Sequence, residues 1–292
     1  MHGHVVTQPM EPFEAMDGAI EVHRVAVWQD NLCWLMVCKK SGDTAVIDGP
    51  QAAEVLEYVE RLGLNLTTVL NTHTHGDHVG INRDLEKRGL LKQLRVVGPA
   101  RAAKDVPGLN EAVDEGSVVR LGAVEGRVMR TEGHLNGHVS YLFGDVLFCG
   151  DTLFTGGCGY LFDGPPEVMY ESLMRLAALP PETRVCCAHE YTQDNLAFAW
   201  FVEPDNQALR TRIQSVWEVR EEGGCVVPST IEEERATNPF LRPGSPTIQN
   251  RLALAFGEVD ASSFSAIFAA TRRLKDRKDH RTSPDFRLPL DD

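Results

Sequence analysis

No run of eighteen apolar residues occurs anywhere in this 292-residue chain, so no segment reads as a membrane-spanning helix. Residues 1–30 also lack a continuous apolar stretch followed by a small-residue cleavage site, and no secretory leader is expected. CxxC pairs are missing. The seven cysteines, Cys33, Cys38, Cys149, Cys158, Cys186, Cys187 and Cys225, are odd in number and sit in no small secreted scaffold. They are expected to be reduced and mostly buried, in a cytoplasmic protein. Positive charge is in deficit: 29 Lys+Arg against 42 Asp+Glu leave a net charge of -13, which argues against nucleic acid as a partner. Repeats and low-complexity tracts are absent too. What is present, 42% hydrophobic and 24% charged residues, is the composition of a folded protein with one large domain and an appendage, or two ordinary domains.

Residues 1–20 mix polar residues with Pro and Gly and read as a flexible arm; His2 and His4 are better taken as part of a loose terminus than as metal ligands. Short apolar runs at 22–28, 32–37 and 44–48 predict strands, joined by turns such as Lys40-Ser41-Gly42-Asp43. Apolar residues Val55, Leu56, Val59 and Leu62 predict an amphipathic helix over 51–61. A β-branched strand, 67–70, then runs directly into Asn71-Thr72-His73, so a strand, helix, strand unit places His73 at a strand's carboxyl end, where open sheets build sites. Further strands are expected at 94–97, 127–130, 139–143, 146–149 and 184–188, with a helix over 167–178 between prolines. Beyond residue 190 the texture becomes helical, over 195–221 with a break near Glu203-Pro204, 246–256 and 263–275, around an irregular stretch 223–244. A domain boundary is placed there: 21–190, then 191–292.

The sharpest local signal is Thr72-His73-Thr74-His75-Gly76-Asp77-His78, with four candidate ligands in six residues. On a regular strand His73, His75 and Asp77 would share a face. A turn after His75 would instead carry Asp77 and His78 to a neighbouring point, which suits two ions better than one. Imidazole and carboxylate suit zinc, and also iron or manganese. A hydrogen-bonded turn with incidental histidines is the plainer alternative, but without metal so many buried polar groups would be costly to desolvate. His134, Asp151 and His189 each follow a predicted strand in the same way.

These residues resemble the metallo-β-lactamase superfamily and, within it, the glyoxalase II (hydroxyacylglutathione hydrolase) family. The closer resemblance rests on Asp151-Thr152-Leu153-Phe154, Gly156-Gly157-Cys158-Gly159, His189-Glu190-Tyr191-Thr192 with Asn195-Leu196, Glu203-Pro204-Asp205-Asn206, Asn238-Pro239-Phe240-Leu241-Arg242 and Arg272-Arg273-Leu274-Lys275-Asp276. It spans residues 21–278. It implies an α/β fold, an αββα sandwich with a smaller C-terminal helical, substrate-binding domain. It also implies a monomer, with one metal on His73, His75 and His134, a second on Asp77, His78 and His189, and Asp151 bridging both. A hydroxide shared by two such ions is a strong nucleophile at neutral pH, and the implied reaction is its attack on a glutathione thioester, S-D-lactoylglutathione above all.

By composition the basic run Arg272–Arg281 is a solvated helix; the resemblance makes Arg272 and Lys275 contacts for a glutathione carboxylate, joined by Tyr191 and, more weakly, Asn195. The sequence departs from the family at Tyr160, where relatives often carry lysine, and Phe162, where they carry tyrosine; a lost hydrogen bond to a charged group is worth about 1.5–3 kcal/mol. Asp48 reads either as orienting a metal ligand or as closing a strand-to-helix turn. Competing readings are hydrolysis of a different thioester or ester, a mononuclear iron persulfide dioxygenase, a nuclease (against which the charge argues) and a non-catalytic binder of thiol conjugates.

Overall fold

The computed structural model describes residues 3–257 and 259–290; His2 lies outside them. Two sheets stack face to face. The first runs in chain order, β1 (Phe13–Ala15), β2 (Ile20–Val27), β3 (Asn31–Cys38), β4 (Asp43–Ile47), β5 (Asn65–Leu70), β6 (Arg95–Pro99) and β7 (Glu111–Val113). It is antiparallel up to β4 and parallel from β4 onward. The second holds β8 (Val118–Leu121), β9 (Val124–Arg130), β10 (Val139–Phe143) and β11 (Val146–Gly150). After a short hairpin, β12 (Leu153–Phe154) and β13 (Gly157–Cys158), that sheet is extended by β14 (Arg184–Cys187), parallel to β11, and by β15 (Ser229–Thr230) at its edge.

Burial explains the layering. All eight residues of β3 are buried, because strand alternation sends side chains to both faces. Leu32, Trp34, Met36 and Cys38 enter the core between the sheets, while Cys33 and Leu35 enter a second core with Val55 and Val59 of α1 (Ala53–Leu62) and Ile81 and Leu85 of α2 (Gly76–Lys87). Trp34 ties the sheets together by donating its indole N–H to Cys187 O at 2.9 Å. Met169, Leu173 and Leu176 of α3 (Pro166–Ala177) close the inter-sheet core from the far side.

The remaining helices are α4 (Thr192–Val202), α5 (Gln207–Glu221), α6 (Ile231–Thr237), α7 (Pro246–Phe256), α8 (Phe264–Asp276) and α9 (Asp279–Thr282). The break expected near Glu203-Pro204 separates α4 from α5. Two expectations change. The stretch 223–244 is not wholly irregular: it contains β15 and α6, the latter started by a reciprocal capping box between Thr230 and Glu233. Nor is the N-terminal arm loose where described. Val5 N donates to Gln29 O, Thr7 N and Gln8 N donate to Gly223 O, Val6 is buried, and His4 uses both ring nitrogens, on Asn31 O and Val6 N. Backbone groups that would otherwise lie under the arm unpaired account for this docking.

The helical segment grips the β12–β13 hairpin residue by residue. Asn195 donates to Thr155 O at 3.1 Å, Gly156 N donates to Glu234 at 2.8 Å, Asn238 donates to Gly157 O at 2.9 Å, and Arg272 donates to Cys158 O at 3.1 Å. Glu234 is fully buried and also holds Arg212 at 2.6 Å and Asn238 at 2.9 Å. Glu234→Ala removes the carboxylate from the half-buried Arg212 and leaves Gly156 N and Asn238 without it, and is expected to cost about 1–3 kcal/mol of stability, read as a lower urea midpoint.

Candidate metal centre

The centre lies where β5, β11 and β14 end and where the β9–β10 loop crosses the same edge. After Leu70 the chain is clamped at once: Asn71 and Asn82 exchange amide hydrogen bonds at 2.7 and 3.1 Å, and Tyr141 donates to Asn71 O at 2.7 Å. Helix α2 then starts at Gly76, so Asp77 and His78 sit in its first turn while His73 and His75 precede it. This helix approaches the 48–50 turn so closely that a Cβ on Gly80 would lie 2.1 Å from Pro50 O; glycine permits the approach.

Two groups of donors result. In the first, His73 Nε2 and His134 Nε2 lie 3.2 and 3.0 Å from His75 Nδ1. In the second, Asp77 Oδ2 lies 3.3 Å from His189 Nε2 and 3.6 Å from His78 Nε2. Asp151 stands between them, Oδ2 3.5 Å from His134 Nε2, and Oδ1 3.4 Å from His78 Nε2 and 3.5 Å from His189 Nε2. These residues form two clusters geometrically able to hold an ion, His73, His75, His134 and Asp151, and Asp77, His78 and His189. All seven residues expected as ligands are thus brought together.

The outer hydrogen bonds decide which atoms face inward. A carboxylate or carbonyl oxygen can only accept. His78 Nδ1 therefore donates to Asp48 (3.0 Å), His189 Nδ1 to Asp30 (2.8 Å) and His134 Nδ1 to Tyr160 O (2.7 Å). Thr72 spends its hydroxyl proton on Asp48 (2.7 Å), so it accepts from His73 Nδ1 at 3.0 Å. In the neutral rings each Nε2 is then a bare lone pair aimed at the others. His78 Nε2 and Asp151 Oδ1 are buried without a hydrogen-bond partner. Ligands of a tetrahedral ion with bonds of about 2.05 Å lie about 3.3 Å apart. Converging lone pairs, orphaned buried atoms and these spacings all fit divalent metal ions.

The electrostatics agree. Burial works against the ionised forms of Asp151 and Asp77, yet the facing imidazoles, His78 and His189, outweigh it and hold both carboxyls well below the usual range. Burial likewise disfavours charge on His78 and His189, and the surrounding carboxylates overcome it, pushing His78 well up and His189 to about 9. His73 goes the other way, lowered by burial and then by its histidine neighbours. The centre is a negative pocket that attracts cations, whether protons or metals.

Asp48 accepts from Thr72 N (2.8 Å), Thr72 Oγ1 and His78, so it braces both groups and is itself saturated. Its carboxylate is spent on Thr72 and His78, which orients a candidate ligand, while its backbone turns at φ 55 between β4 and α1. Four contributors escape the sequence. Asp30 holds His189; Asn31 donates to Asp77 Oδ2 at 3.1 Å; His138, stacked on His73 at 4.7 Å, accepts from Asp151 N at 3.2 Å; and Tyr160 contributes through its carbonyl. Asp30-Asn31 at a strand turn and His138 four residues after His134 were the only signals available.

The expected substrate contacts divide. Tyr191, Tyr160 and Phe162 are exposed at the mouth, Tyr191 stacked parallel on His189 at 4.7 Å and Phe162 edge-on to His75 at 4.9 Å and to His134 at 5.3 Å. Asn195 is buried, donating to Thr155 O and accepting from Lys275 Nζ at 2.6 Å, and so supports Lys275. Lys275 is 9% exposed and lies 3.3 Å from Asp194, and Arg272 is 6% exposed and braced by Asp276 at 2.6 Å.

Stacked sheets with paired donor groups at one edge define a protein of the metallo-β-lactamase superfamily, and the family model described as metallo-beta-lactamase superfamily matches residues 27–189. A second model, hydroxyacylglutathione hydrolase C-terminus, matches residues 190–278. With curated relatives aligned over 88% of its length, the chain belongs to the hydroxyacylglutathione hydrolase family. It is 47% identical over 260 residues to the hydroxyacylglutathione hydrolase of Methylococcus capsulatus and 42% identical over 259 residues to that of Rhodospirillum rubrum, covering 98% of each. In fold it resembles ETHE1 from Myxococcus xanthus, with a TM-score of 0.56 at 24% identity over 90% of this chain and 98% of that one. It also resembles the BLEG-1 B3 metallo-beta-lactamase, with a TM-score of 0.56 at 18% identity over 75% of this chain and 99% of that one.

Because Asp48 braces His78 directly and His73 through Thr72, Asp48→Ala is expected to weaken metal binding at both groups by about 10–100-fold. Competition with a chromophoric chelator reads this.

Proposed function

We propose that this protein hydrolyses S-acylglutathione thioesters, S-D-lactoylglutathione foremost, as a cytoplasmic monomer carrying two divalent ions, zinc by preference. The observation that carries the reading is the inward convergence of bare imidazole lone pairs on either side of Asp151, in a chain that matches hydroxyacylglutathione hydrolases from end to end of their length. His73, His75 and His134 would hold one ion, Asp77, His78 and His189 the other, with Asp151 shared. Divalent ions in such a site supply an activated water and a Lewis acid for the thioester carbonyl.

The chain's own groups do the rest. Burial opposes the charge on Asp77 and Asp151, yet the imidazoles around them keep both ionised, and both would serve as anionic ligands in the neutral range. The part 191–292 is the proposed substrate-binding unit. Tyr191 offers a hydroxyl at the mouth, while Arg272 and Lys275 place two cations beneath the hairpin that leads to Tyr160, favouring an anionic substrate. Phe162 puts a ring where it can exclude water from the first group but cannot hydrogen-bond.

Loss of thioester absorbance with S-D-lactoylglutathione, on protein of measured metal content, is expected to give kcat/KM of about 10⁵ M⁻¹s⁻¹ or more. A negligible value with both groups filled would overturn the glutathione assignment in favour of another thiol, for which Tyr160 and Phe162 already provide a less polar rim. Oxygen uptake by iron-loaded protein would point to dioxygenase chemistry instead.

A pH dependence follows from Lys275. Burial lowers its pKa to about 8, against the pull of Asp194. Between about 8 and 10.5 the unfolded chain binds the extra proton, so the stability contribution of this group rises with pH through that window. Anion binding has the opposite sign and is lost as the charge goes. KM is therefore expected to climb as pH rises through 8. In Lys275→Met, KM should be roughly 10- to 100-fold higher at pH 7 and this rise should vanish.

A further inference from the structure

The two donor groups are held by different parts of the chain. In the first, His73 is set through Thr72 and His134 through Tyr160 O. In the second, two of three members depend on the turn between β2 and β3. Asp30 accepts from His189 Nδ1 at 2.8 Å, and its neighbour Asn31 donates to Asp77 Oδ2 at 3.1 Å.

That turn is sewn to the β14 end by backbone. Leu32 N donates to Ala188 O at 2.7 Å, Glu190 N donates to Asp30 O at 3.0 Å, and Asn31 and His189 form an isolated antiparallel bridge. From outside, Val5 N caps Gln29 O at 2.7 Å and His4 reaches Asn31 O at 3.0 Å. The result is a rigid bracket whose two side chains reach the second group and not the first.

We propose that Asp30 and Asn31 are positioning residues for the second metal alone. They set whether Asp77 and His189 can hold an ion while leaving the His73, His75 and His134 group as it is. Asp30 fixes His189 as the Nδ1–H tautomer, so that Nε2 stays a lone pair. Asn31 donates to Asp77 Oδ2, the oxygen that faces His78 and His189, and so holds that oxygen in its place in the group. Asp48, by contrast, serves both groups, so the Asp30–Asn31 turn is where the second group can be loosened without the first.

The inference rests on the two-ion reading above, and metal binding alone tests it. Full-length zinc-loaded protein is titrated with a competing chromophoric chelator, which yields two dissociation constants. Asp30→Ala is expected to weaken one of the two constants about 10–100-fold and to leave the other within about twofold. Asp30→Asn keeps a carbonyl that can accept from Nδ1–H without its charge, and is expected to fall between wild type and Asp30→Ala. That graded order separates positioning from loss of fold, since general loosening would move both constants. Equal shifts of both constants, no shift in either, or a wild-type protein that binds a single ion would each overturn the inference. A wild type that binds two ions, shows the graded series and cleaves no S-D-lactoylglutathione would leave it standing and remove the glutathione assignment instead.

Discussion

Five imidazoles and two carboxylates meet at the edge of this sandwich, four of the imidazoles with their outer nitrogen already committed, and the architecture around them follows from that constraint. An imidazole whose Nδ1–H is spent on Asp30, Asp48 or Tyr160 O has only a lone pair to present inward. Lone pairs facing one another at about 3 Å gain nothing from each other, and the buried Asp151 carboxylate adds a charge that must be compensated. Cations reconcile these groups, either protons taken up by His78 and His189 or metal ions. Holding them to such tolerances needs a rigid frame, and the frame is two interlocked sheets whose strand ends supply His73, Asp151 and His189 from separate points. A purely local motif could not do so, because only the 73–78 segment is local.

Much of this was legible because metal donors are chemically distinctive and strand ends are periodic. The run from His73 to His78 announced two groups through its crowding, and β2 to β5 could be placed from alternation and one amphipathic helix. What stayed hidden was whatever works through backbone or through a partner far along the chain. Tyr160 acts on His134 through its carbonyl, which any residue would possess. Asp30 and Asn31 resemble ordinary turn residues until β14 is laid beside them. Asn195 looked like a polar contact for substrate, and its burial under the hairpin could not be read from a helix pattern whose two sides are both covered. The 223–244 stretch looks irregular in sequence although Thr230 and Glu233 spell a capping box, since β15 and α6 are too short to show a period. The N-terminal arm looked loose by composition and is fixed by backbone groups.

The placement of the helical segment carries the argument one step further. The chain from Asp151 to Tyr160 links the carboxylate between the groups to the carbonyl that orients His134, and the β12–β13 hairpin occupies its middle. Asn195, Glu234, Asn238 and Arg272, drawn from α4, α6, the turn after it and α8, take hold of Thr155, Gly156, Gly157 and Cys158 in succession. Four neighbouring backbone groups, each needing a partner once buried, are thus satisfied from one side by the segment that also carries Lys275. Meanwhile β15 extends the second sheet from within that segment. The helices are therefore part of the wall of the metal centre as well as a candidate substrate platform. A displacement at α8 would pass through Arg272 to Cys158 and along the hairpin to Tyr160 and His134, so the proposed handle for the substrate and the geometry of the first donor group are mechanically one unit.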